Sequence, residues 1–118
     1  MRASDFILIA SLFLVALADA ALTYLIIVSG VGYEANPVWQ IFNYEPDAVW
    51  SVGLMPDMIA ILLITVLMIL AYMSHLTAAV KIVRYTALAM AASRCVVVLN
   101  NAAVYFAHTN LIPVWLFP

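Results

Sequence analysis

The stretch DAALTYLIIVSGVGYEANP, residues 19–37, decides how the chain is read. Asp19 lies inside an apolar run, and Thr23 follows four residues later on the same helical face. The run then leaves through Gly30 and Gly32 into Glu34, Asn36 and Pro37. A carboxylate at the centre of a membrane span costs about 2.5–3.5 kcal/mol, so Asp19 calls for a partner from another segment.

Upstream, Arg2, the apolar run from Phe6 and the triplet Ala18-Asp19-Ala20 imitate a cleaved secretory leader. Apolar residues nevertheless continue from Ala20 to Val28, which gives the roughly 20 residues a bilayer span requires. The spacing therefore predicts an uncleaved helix over about 5–29, with Ser4 as its N-cap and the two glycines as its stop. Two further apolar segments predict helices over about 47–74 and 77–107. Pro46 suits a first helical position, Pro56 either kinks the second helix or marks its true start, and Pro113 keeps the tail from continuing the third. Trp39 and Tyr44 in the first loop and Trp115 in the tail suit short interfacial segments.

Composition agrees with these spans. Of the 118 residues, 69% are hydrophobic and 8% charged, with a mean hydropathy of +1.16, far from the balance of a soluble domain. The expected class is an all-α integral membrane protein, with residues 1–118 forming one three-helix domain of the cell membrane. A formal net charge of −2 gives no reason to expect nucleic acid as a partner. The single cysteine, Cys95, allows no intramolecular disulfide and reads as a small buried filler. Arg2 precedes the first helix and Lys81 and Arg84 open the third, whereas the first loop holds Glu34, Glu45 and Asp47 without a cation. The positive-inside rule then places the N-terminus in the cytoplasm and the C-terminus outside. Alanines spaced by four, Ala16 with Ala20 and Ala87 with Ala91, predict close contact between the first and third helices.

Three ionisable residues fall within the spans: Asp19, Asp57 and Arg94. With a rise of about 1.5 Å per residue, Asp19 and Arg94 lie about 15 and 18 Å below the outer boundary, and Asp57, Thr23, Asn100 and Asn101 about 9–11 Å. Two layers follow. Asp19 pairs with Arg94 in the deeper one, and Asp57 groups with Thr23 and one or both asparagines in the shallower one, with one of Asn100 and Asn101 facing the bundle and the other a neighbour or backbone. A turn through Glu34, Asn36 and Pro37 is expected to fold back over this polar group. Glu34, Asp57 and His108 form a weak candidate metal site, because zinc accepts oxygen and nitrogen donors. His75 and His108 fall at opposite boundaries and share no site. No nucleophile elbow or H-E-x-x-H motif occurs, and no cofactor is expected.

The pattern D-x-x-x-T, an apolar stretch, then G-x-x-x-E-x-N-P, with an asparagine late in the third apolar segment, resembles the small membrane proteins grouped as domain of unknown function 5658. Here it reads Asp19, Thr23, Gly30, Glu34, Asn36 and Pro37, with Asn100 or Asn101 as the late asparagine. The resemblance implies a three-helix membrane fold and brings no activity. Members often carry a basic residue partway along the second helix, where this chain has Pro56 and Asp57.

Two functional readings follow. The leading one is a non-enzymatic membrane protein, a homo-oligomer or an accessory subunit of a larger membrane complex, whose buried polar network fixes the bundle. The alternative is an ion or small-solute transport unit with a path between protomers lined by Asp19, Asp57, Arg94 and Asn101. A metal-dependent membrane enzyme is a third and weaker reading.

Overall fold

A computed structural model describes residues 1–29 and 49–107. The glycine stop of the first helix, the turn through Glu34, Asn36 and Pro37, the interfacial tryptophans Trp39 and Trp115, Tyr44, and His108 lie outside the described residues. Three helices follow one another: α1 (Ala3–Ser29), α2 (Met55–Met73) and α3 (Thr77–Ala107). A wide π-helical turn, Val49–Leu54, leads into α2. The described bundle is about 50 Å long and 25 × 23 Å across.

Local chemistry explains most of these boundaries. α1 begins earlier than Ser4 can cap. Asp5, in its first turn, reaches back so that the Arg2 backbone N–H donates to its Oδ2 at 3.2 Å, the acidic half of a capping box. Pro56 sits in the first turn of α2, where it lacks the N–H needed for a regular bond to the carbonyl four residues back. Regular α geometry therefore starts at this proline, and the chain before it takes the wider turn. Between α2 and α3 only three residues intervene. His75 adopts φ 58°, the left-handed conformation that reverses a chain after a helix, and its N–H donates to the Tyr72 carbonyl at 3.2 Å. The Ser74 hydroxyl closes the same turn by donating to the Ala71 carbonyl at 2.7 Å.

α1 packs most extensively on α3, as the paired alanines lead one to expect: Ala16, Ala20 and Ala87 are all buried. Small side chains let the two backbones approach, which matters where apolar side chains gain nothing from leaving one hydrocarbon for another. Leu12, Ala16, Ile61, Ile64 and Ala87 form a layer across all three helices, and Val49 of the wide turn packs on Ala20 and Ile27. Outside this seam the helices are bare. Leu14, Leu62, Ile82, Leu99 and Phe106 are exposed, and only 6% of the most apolar window of α3 is buried. Such apolar faces would be a liability in water and are ordinary in lipid. All three segments are long and apolar enough to cross a membrane. Ser11, Thr65 and Thr86 fit this setting, because each hydroxyl donates to the carbonyl four residues earlier. Cys95 differs from its expected place as buried filler: it is exposed on the outer face of α3.

Candidate functional site

Asp19 in the second half of α1, Asp57 at the start of α2 and Arg94 past the middle of α3 converge between the helices. Arg94 Nη1 lies 3.5 Å from Asp19 Oδ2, and Arg94 Nη2 donates to Asp57 Oδ1. Asn101, two turns further along α3, donates through Nδ2 to Asp19 Oδ1 at 2.7 Å and to Thr23 Oγ1 at 3.4 Å. Helical spacing brings this about: Asp19 with Thr23, and Arg94 with Asn101, each share one helix face.

The two expected layers therefore merge into one network. Asp57 is not grouped with Thr23 and the asparagines; it is paired with Arg94. Depths counted along Cα positions miss this because an arginine stem spans several ångströms along the helix and carries its charge away from its own backbone level. Asn100 and Asn101 are both buried, and Asn101 is the one that carries the contacts to Asp19 and Thr23. Glu34, Asn36, Pro37 and His108 lie outside the described residues. Among the described residues no three histidine, cysteine, aspartate or glutamate side chains stand close enough to hold a metal.

The network is not sealed. The Asp19 and Asp57 side chains are 15% and 10% exposed, but that of Arg94 is 41% exposed. It opens into a cleft of about 280 Å³ in which Asp57, Ser93 and Arg94 face Leu12, Ala16 and Met90. Two carboxylates and one guanidinium leave the group formally at −1. This arrangement can hold a cation or relay a proton along carboxylate oxygens, provided water or a second surface covers the cleft.

A second polar cluster, which the sequence reading did not single out, closes the opposite end of the bundle. Asp5 is 1% exposed and accepts from Arg84 Nε at 2.8 Å, from Arg84 Nη2 at 3.2 Å and from the Tyr72 hydroxyl. Arg84 Nη2 also donates to Tyr72 Oη at 2.8 Å. These residues sit at helix ends, where an acid near an N-terminus and cations near a membrane boundary already have ordinary explanations. The available signal was their shared end: the start of α1, the end of α2 and the start of α3 must meet if the chain crosses three times.

Comparison with protein-family models, with curated proteins and with solved structures finds no match to this chain.

Proposed function

We propose that the chain is a membrane transport unit for a small cation, a proton included, whose path runs past Asp19, Asp57, Arg94 and Asn101 between copies of the protein. One observation carries this reading. Three charged side chains from three helices meet halfway along an apolar bundle, and the arginine among them stands 41% exposed over an open cleft. A network that served packing alone would gain from closure and from equal numbers of charges, since ionisable groups in a span are tolerated where they pair or line a wet cavity. The excess carboxylate favours a cation over an anion as the species taken in.

A path between copies suits the surface as well. Three helices enclose little space, and the cleft is lined on one side by Met90, Ser93, Arg94 and Val97 of α3, next to the exposed flank of Cys95, Val96 and Leu99. A second copy laid over that flank would cover Arg94 and convert the cleft into a lined passage. The homo-oligomer or accessory-subunit reading shares this step and omits the flux. Arg2, Lys81 and Arg84 line one common cleft at one end of the bundle, which supports a cytoplasmic N-terminus and α2–α3 turn and an external C-terminus. Kinship with domain of unknown function 5658 is likewise a proposal, supported by Asp19 and Thr23 of the shared pattern meeting on Asn101.

The test is cation and proton flux into vesicles reconstituted with the purified chain. Wild-type protein is expected to exceed protein-free vesicles, and Asp57→Asn to abolish the excess while keeping the oligomeric state. Wild-type vesicles no leakier than empty ones would end the transport reading and leave the subunit reading standing.

A further inference from the structure

The end of the bundle closed by Asp5 carries a second cleft, of about 280 Å³, lined by Arg2, Tyr72, His75, Thr77, Lys81 and Arg84. Its three cations come from the start of α1 and the first two turns of α3. Asp5 alone offsets them, so the cleft is formally at +2. Among the described residues the Arg2 and Lys81 side chains have no acidic partner. Arg84 uses Nε and Nη2 on Asp5 and Tyr72, which leaves the two N–H donors of Nη1 for a ligand. The Asp5 pair thus acts as a brace that fixes one guanidinium at the cleft, while two exposed cations stand beside it.

We propose that this cleft binds a phosphate-bearing anion, with Arg84 held as the fixed donor and Arg2 and Lys81 as mobile ones. The planar guanidinium fork suits phosphate oxygens, and a lysine supplies a point charge beside it. The volume is just under the roughly 300 Å³ at which pockets begin to admit drug-sized ligands, which suits a phosphate bearing a small substituent. Position adds to this. At about 1.5 Å per residue the 31 residues of α3 extend about 46 Å. A hydrocarbon core about 30 Å thick leaves part of that length among the headgroups. The same chemistry serves a phospholipid headgroup or a free phosphate, and it does not depend on any flux through the opposite cleft.

The experiment uses the full chain in phosphatidylcholine nanodiscs, with phosphatidylglycerol added in one arm and inorganic phosphate in the other. Native mass spectrometry counts retained phosphatidylglycerol, and thermal unfolding reads phosphate binding. The comparison is the double variant R2Q/K81Q, whose substituted side chains are exposed, with Asp5 and Arg84 untouched. Preferential retention of phosphatidylglycerol by the wild type, falling roughly 25-fold in the variant at about fivefold per cation, supports the headgroup form. A phosphate-induced rise in Tm seen in the wild type alone, without lipid preference, supports the free-phosphate form. Equal behaviour of wild type and variant in both arms overturns the proposal.

Discussion

The two polar clusters use the same residue types and arrive at opposite states. At the α2–α3 turn one carboxylate meets one guanidinium, a tyrosine hydroxyl fills the remaining valence, and Asp5 is 1% exposed. Past the middle of the bundle two carboxylates share one guanidinium whose side chain is 41% exposed. About 21 Å of α1 separates Asp5 from Asp19, and the apolar layer of Leu12, Ala16, Ile61, Ile64 and Ala87 lies between them. The first cluster resembles a closed latch: its carboxylate is covered and paired, and the charge left over stands beside it on Arg2 and Lys81. The second is incomplete within its own group, in charge and in cover.

The sharpest way to break this contrast is to open the latch. Asp5→Ala removes the acceptor for both Arg84 donors, the Tyr72 hydroxyl and the Arg2 backbone N–H, and leaves the guanidinium beside Arg2 and Lys81 without its counter-charge. The expected result is the largest loss of stability among these variants, because four hydrogen bonds to one covered carboxylate go together, moderated by the partial exposure of the Arg84 side chain. Reversible unfolding in mixed micelles measures it; a loss below about 0.5 kcal/mol would show that the latch is ornamental. Next in size is the open cluster. Arg94→Gln deprives two carboxylates of their shared cation and is expected to cost about 1–2 kcal/mol, less than the latch because Arg94 already faces outward. Adding Asp57→Asn to Arg94→Gln should recover about half of that loss, since one unpaired carboxylate is then neutral. An additive double variant would mean that Arg94 and Asp57 are not coupled.

How much of this could be read from sequence depends on whether a residue breaks its surroundings. Asp19 and Arg94 interrupt long apolar runs, so their need for a partner is visible without coordinates, and they lie 3.5 Å apart. Ala16 and Ala87 are legible for the converse reason, because small residues at four-residue spacing matter only where helices touch. Asp5, Tyr72 and Arg84 break nothing. Each has a local role that accounts for it, and only three-dimensional closure gives them a common one. Asp57 falls between these cases: its charge stood out, but its partner depended on where the Arg94 stem carried the guanidinium. The exposed position of Cys95 was not legible at all, since a small side chain is compatible with either face of α3.

Smaller effects refine the same contrast. Asn101→Leu removes the amide donor shared by Asp19 and Thr23 and should cost about 0.6 kcal/mol, the average for interhelical polar contacts in a membrane, and no more than about 1.7 kcal/mol. Thr23→Val, which loses only the 3.4 Å contact, should cost less than about 0.5 kcal/mol. If the two variants prove equally costly, Asn101 serves Thr23 rather than Asp19, and the open cluster is narrower than drawn.

The smallest change works in the opposite direction. His75 holds φ 58°, a conformation that costs a side-chain-bearing residue roughly 1 kcal/mol and a glycine almost nothing. His75→Gly should therefore stabilise the turn, but the added freedom of the unfolded chain costs about 0.4–1 kcal/mol and leaves a net gain of only a few tenths of a kcal/mol. This turn joins α2 to α3 directly beneath Tyr72 and Arg84, so the gain should appear as slower hydrogen exchange at the latch end, with the amides around Arg94 unchanged. Protection that rose equally at both ends would mean that the two clusters open as one unit, and the distinction between a closed latch and an open site would then lie in their chemistry alone, without a corresponding difference in local stability.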